Sequence, residues 1–238
     1  MQVFLTAEWK NLLFVNYEVE PAVLKPYLPA GVELDLFHGK CLVSLVGFMF
    51  LKTKVRGIGF PFHRNFEEFN LRFYVCRWEG NGYRRGVVFV KEIVPRRMIT
   101  WVAYGLYGES YFYHPMKHSI AATEEETKVS YEFRLNGKWN GIEAIAGNVK
   151  KPLITGTEEE FITEHYRGYT KMKNGATSEY QVQHPRWSMQ EVKSCEVNVN
   201  TDALYGEQWH PFLSAKPTSV FLADGSPVTI FTRNIITQ

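Results

Sequence analysis

From Phe66 to Trp78 the chain reads FEEFNLRFYVCRW, and its side chains alternate in character with a period of two. Phe69, Leu71, Phe73 and Val75 fall on one face of the strand this implies; Glu68, Asn70, Arg72 and Tyr74 fall on the other. TKVSYEFRL repeats the pattern, with Val129, Tyr131, Phe133 and Leu135 against Lys128, Ser130, Glu132 and Arg134. Two other runs do not alternate. CLVSLVGFMFL and VVFVKEIV are apolar at nearly every position, which predicts strands covered on both faces. Turn residues His38-Gly39-Lys40 separate two of the runs, and hairpins are expected at EGNG, Asn136-Gly137, Lys173-Asn174-Gly175 and Asp224-Gly225.

Three helices are expected. Pro21 opens a short one that Pro29 and Gly31 end. RRMITWVAYGLYG, from Arg96 to Gly108, spaces Met98, Trp101, Val102 and Leu106 as one helical face. Thr157 caps a third helix whose first turn holds three glutamates, where they suit the positive end of the helix dipole. With about ten strands and no parallel βαβ unit, the reading is a mainly antiparallel β fold with a few helices (α+β). It is expected to form one domain over residues 1–238, with a curved or closed sheet.

Composition narrows the function. The net charge is +2, with basic residues scattered, so there is no footprint for nucleic acid. Aromatic residues make up 15%, which suits β-structure or an aromatic-lined cavity. Three widely spaced cysteines give no disulfide framework and no zinc spacing. The first residues lack a secretory pattern, and CLVSLVGFMFL is too short to span a bilayer, so a cytoplasmic protein without a membrane partner is expected. The oligomeric state is not legible.

The common catalytic signatures are absent: no G-x-G-x-x-G after a strand, no P-loop, no H-E-x-x-H and no G-x-S-x-G. His114 and His118 share a strand face about 13 Å apart, too far for one metal. Neither a metal nor a cofactor is expected. LYGE occurs twice, at Leu106–Glu109 and Leu204–Glu207, but the flanks differ in period and composition, so this is no structural repeat.

Six blocks in fixed order carry a family resemblance: WKNLLFVNYEVEPAVLKPYLPAGVELD, CLVSLVGFMF, FEEFNLRFYV, VAYGLYGESYFYHPM, FITEHYRGY and VQHPRW. Together they resemble the YqjF-like family of uncharacterised bacterial proteins, which is related in fold to acetoacetate decarboxylase. The resemblance implies an antiparallel sheet closed into a cone around a central cavity. It also implies a place for the decarboxylase's Schiff-base lysine pair, in a Pro-Lys-Lys motif. Here LYGESYFYHP puts Ser110, Tyr111 and Phe112 at that place, so the amine is missing.

The polar face of Glu68, Asn70, Arg72 and Tyr74 faces either solvent or this cavity, and the family relationship favours the cavity. There Arg72 would fork to a carboxylate or phosphate, with Glu109 near enough to pair with it. Lys91 is a possible replacement amine on an apolar strand, or an edge or ion-paired residue. His184 is either an acid/base group or a packed structural residue next to Pro185 and Trp187. Three functional readings remain. The first is a small-molecule protein that binds an organic acid through Glu68, Asn70, Arg72, Tyr74, Lys91 and Trp187. The second is an enzyme using Glu109, Tyr111 or His184 for acid/base chemistry. The third is a structural or interaction module with a filled interior.

Overall fold

The computed structural model describes residues 1–96 and 111–236. The expected helix over Arg96–Gly108 and the candidate Glu109 lie outside the described residues, apart from Arg96. Fourteen strands are described: β1 Val3–Glu18, β2 Glu33–Leu34, β3 Leu42–Val55, β4 Phe66–Trp78, β5 Tyr83–Val94, β6 Tyr111–Tyr113, β7 Met116–Ala122, β8 Glu126–Leu135, β9 Lys138–Pro152, β10 Arg167–Lys171, β11 Thr177–Gln183, β12 Ser188–Asn198, β13 Ser219–Phe231 and β14 Asn234–Ile236. All join one sheet, ordered β14-β11-β10-β5-β4-β3-β1-β13-β12-β9-β8-β7, with β2 on β4 and β6 on β5. Most pairings are antiparallel; β5 with β10 and β5 with β6 are parallel, so the sheet is mixed. A short pairing of β11 with β13, at Val182–Ile230 and Gln183–Thr229, links the two ends of the run from β11 to β13.

The central strands have two buried faces. Val43, Leu45 and Met49 of β3, Phe69, Leu71 and Phe73 of β4, and Leu13 and Val15 of β1 belong to an outer core. Strands β8 and β9 fold back over it with Val129, Tyr131, Phe133 and Ile142. The approach is close: a Cβ on Gly47 would stand 2.6 Å from the Tyr131 ring. Phe69 and Phe133 pack at 4.9 Å between ring centres. The opposite face carries Leu12, Phe14, Val46, Phe48 and Phe50. CLVSLVGFMFL reads as one apolar block because both of its faces are covered.

Four short α-helices are described: α1 Pro21–Leu24, α2 Glu158–Thr163, α3 Thr201–Tyr205 and α4 His210–Leu213. The Thr157 hydroxyl accepts from the Glu160 amide, as the capping pattern predicts. None of the described helices is long and apolar enough to cross a membrane. The second LYGE ends α3, and its His-Pro opens α4. One expected hairpin does not form. Asp224-Gly225 sits inside β13, which pairs with β1 on both sides of it, Lys10 lying opposite Gly225. Gly225 has φ +74°, and a Cβ there would stand 2.1 Å from the Trp9 carbonyl oxygen. The glycine serves a close strand crossing rather than a turn.

Candidate functional site

The inner face of the sheet lines an open cavity of about 600 Å³. Its apolar wall comes from β1 and β3: Trp9, Leu12, Val46, Phe48 and Phe50, with Phe66 from the start of β4. Trp9 meets Phe48 and Phe50 edge-on at 5.5 and 5.8 Å. Val55, Arg56, Phe60 and His63 also line the cavity, so the loop after β3 forms part of its wall.

The alternation of β4 places Glu68, Asn70 and Arg72 along this cavity, as the sequence leads one to expect from the family relationship. Glu68 and Asn70 are almost fully buried, and the Asn70 amide donates to Glu68 Oε1 at 2.9 Å. The Tyr111 hydroxyl donates to Glu68 Oε2 at 3.2 Å, and Tyr111 also lines the cavity. Burial dominates the carboxyl's acidity. It outweighs these two hydrogen bonds and the Arg72 charge, and the Glu68 pKa is pushed up to about 7. Glu68 therefore keeps its proton into the neutral range.

Arg72 donates from Nη2 to the Ile162 carbonyl at 3.2 Å, in the last turn of α2, where helix carbonyls lack internal partners. Its guanidinium carbon stands 5.0 Å from the centre of the Phe14 ring and 5.7 Å from that of Tyr74. Its Nε is buried without a hydrogen-bond partner among the described residues.

Tyr74 is not among the lining residues. Helix α2 covers it, with Phe161 against its ring at 5.3 Å, and its hydroxyl shares a hydrogen bond with Ser44 Oγ at 2.5 Å. Ser44 in turn donates to Asn16. Tyr74 thus stabilises a buried polar network at the end of the row instead of meeting the cavity.

Lys91 also misses the cavity, for a reason of register. Leu71 pairs with Lys91, but Arg72 pairs with Phe89, so Val90 is an extra residue in a β-bulge. The bulge flips the parity of β5. Val87 and Phe89 face the cavity; Lys91 turns to the outer face, and Glu92 takes the inner position. The Lys91 ammonium donates to the Leu204 carbonyl and lies over the Phe112 ring at 4.6 Å. Burial lowers its pKa, yet it faces away from the cavity. No lysine lines the cavity among the described residues, and residues 97–110 contain none.

His184 and Trp187 both line the cavity as a stacked pair, 4.1 Å apart at 15°. The Trp187 indole N–H donates to Ser226 Oγ at 2.9 Å, and His184 Nδ1 lies 2.9 Å from the Pro185 carbonyl. Burial takes the His184 pKa down to about 4. The ring is neutral at physiological pH and serves as a wall.

One lining residue had no signal in the sequence. His165 follows α2, and its Nε2 lies 3.1 Å from Asp35 Oδ2. Asp35 also accepts from Arg85 Nε at 2.6 Å. Burial opposes the Asp35 charge, but the hydrogen bonds from His165 and Arg85 outweigh it and lower its pKa. Burial of His165 pushes its own pKa to about 4. The three residues come from distant parts of the chain, which no local pattern could have joined. Among the described residues, no three His, Cys, Asp or Glu side chains gather as a metal set.

Comparison with known proteins places this geometry. The protein is 27% identical over 197 residues to the uncharacterized protein YqjF of Bacillus subtilis (strain 168), covering 81% of this chain and 77% of that one. In structure it resembles acetoacetate decarboxylase of Legionella pneumophila, with a TM-score of 0.66, 12% identity, and coverage of 98% and 87% of the two chains. It likewise resembles the enduracididine biosynthesis enzyme MppR complexed with pyruvate, with a TM-score of 0.66, 12% identity, and coverage of 100% and 91%. The fold is therefore that of acetoacetate decarboxylase-like proteins. The profile of DUF2071, described as an uncharacterized conserved protein, matches residues 6–227, and the chain belongs to that family.

Proposed function

We propose that this protein binds an organic acid with a sizeable apolar body, the acid group resting on Arg72 and the body on the aromatic wall. The observation that carries this reading is the Arg72 guanidinium on the wall of a cavity with a broad aromatic side, with Nε lacking a partner among the described residues. A guanidinium offers a planar fork that matches a carboxylate. A volume of about 600 Å³ is ample for more than a three-carbon acid, and such pockets suit drug-sized molecules. An open cavity of this size weighs against a module filled by its own side chains. The pyruvate complex of MppR is a precedent for acid binding on this fold in that protein, and no more.

Without a lining lysine, iminium chemistry is not part of the reading. A second reading, proton transfer on the bound acid, is favoured by one feature. Glu68 holds a proton near neutral pH and is hydrogen-bonded to Tyr111, which suits a general acid. The linkage of β11 to β13 supports a sheet closed into a cone around the ligand. Three free cysteines support a reducing, cytoplasmic setting.

The test is a thermal-shift screen of aliphatic and aryl carboxylates against the matched alcohols. At a hundredfold excess over Kd, a bound acid adds about 2.7 kcal/mol of stability. Acids are expected to raise the Tm and alcohols are not. No shift with any acid would overturn the reading.

A further inference from the structure

His165 occupies the cavity wall close to Arg72. Both stand beside the Tyr74 ring: His165 at 4.8 Å between ring centres, Arg72 at 5.7 Å from its guanidinium carbon. The tautomer of His165 follows from its partner. An ionised carboxylate can only accept, so the Nε2 facing Asp35 carries the proton and Nδ1 holds the lone pair. Asp35 is fixed by Arg85, whose guanidinium lies over the Phe161 ring at 4.6 Å. Phe161 also packs against His165, at 5.1 Å. The imidazole is packed against the Tyr74 and Phe161 rings and held at its distal nitrogen. Nδ1 is buried with no hydrogen-bond partner among the described residues. Buried acceptors are normally satisfied, and His165 lines the cavity, so its unpaired Nδ1 is a place for a ligand's donor.

We propose that His165 Nδ1 accepts a hydrogen bond from a hydroxyl of the bound acid, so that the ligand is a hydroxycarboxylic acid. This rests on the Arg72 reading and deepens it. The donor is a hydroxyl rather than an ammonium because the Arg72 charge bears on the imidazole while Arg85 is paired with Asp35, and a second cation beside Arg72 would be repelled. The role is recognition, not proton abstraction. The ring stays neutral far below physiological pH, which makes it a steady acceptor and a weak base.

The test compares affinities of the full chain for matched acids by calorimetry: hydroxyoctanoates with octanoate, hydroxyphenylacetates with phenylacetate, and aminooctanoates as the ammonium arm. The best hydroxy isomer is expected to bind about tenfold more tightly than its deoxy partner. His165→Phe is expected to bind the two alike, with affinity for the deoxy acid kept. Nitrogen NMR of the unmodified protein gives a readout independent of the variant: the bare Nδ1 resonance is expected to move on adding the hydroxy acid only. If neither acid binds, the Arg72 reading itself fails. If both bind equally and Nδ1 stays unmoved, the His165 proposal is overturned while the Arg72 reading stands. A preference for the amino acid would overturn the hydroxyl assignment.

Discussion

Tyr111 donates its phenolic hydrogen to Glu68 at 3.2 Å, in the segment where the resemblance to the decarboxylase locates its lysine pair. The contact joins β6 to β4 across β5, since Tyr111 pairs with Glu92 and Glu92 pairs with Asn70. A carboxyl of raised pKa and a phenol thus occupy a wall with no lysine among the described residues.

Glu68 makes stability depend on pH in a defined direction. Its folded pKa, about 7, lies above the ordinary 4.5, so the folded state keeps a proton that the unfolded chain releases. The stabilisation is complete below about 4.5 and is lost as pH rises through about 7, on the order of 3 kcal/mol in all. Glu68→Gln is expected to remove this slope in urea unfolding measured across the same range. An unchanged slope would contradict the raised pKa.

His165 acts in the opposite sense. Its folded pKa, about 4, lies below the ordinary 6.5, so stability present above 6.5 is lost as pH falls towards 4. Glu68 therefore opposes His165 and His184, whose folded pKa is also about 4, between 4.5 and 6.5; the unmodified protein is expected to look flatter there than Glu68→Gln, and His165→Phe flatter still. The unfolding midpoint against pH for the three proteins checks this.

Lys91 is expected to be irrelevant to the cavity. Lys91→Met should bind acids as the unmodified protein does, and borohydride with keto acids should give no covalent adduct by mass spectrometry. An adduct on Lys91 would mean that the bulge at Val90 does not hold in solution.

Gly225 is expected to tolerate no side chain. Gly225→Ala adds a Cβ to a left-handed backbone position, 2.1 Å from the Trp9 carbonyl. The loss should be on the order of 2 kcal/mol or more, with altered tryptophan fluorescence because Trp9 is on the cavity wall.

Much of the fold was legible where local chemistry decides it. The period of β4 placed Glu68, Asn70 and Arg72 on one face, and Thr157 marked the start of α2. The rest depended on distant partners. Alternation along β5 would give Lys91 the face of Phe89, and only its pairing with β4 reveals the bulge that brings in Glu92. Tyr74 continues the polar row but lies beneath Phe161, a residue from far along the chain. Asp224-Gly225 has the composition of a turn, yet Trp9 of β1 decides its role. The unit of Asp35, Arg85 and His165 assembles only when β2, β5 and the end of α2 meet.

Calorimetry of octanoate and phenylacetate on the unmodified protein and on Arg72→Met tests the account most directly, with urea unfolding to show that both are folded. Saturable binding to the unmodified protein is expected, weakened at least about tenfold in Arg72→Met, since a charge-assisted hydrogen bond contributes on that scale. Equal affinity in the two proteins, or no binding to either, would contradict the role given to Arg72.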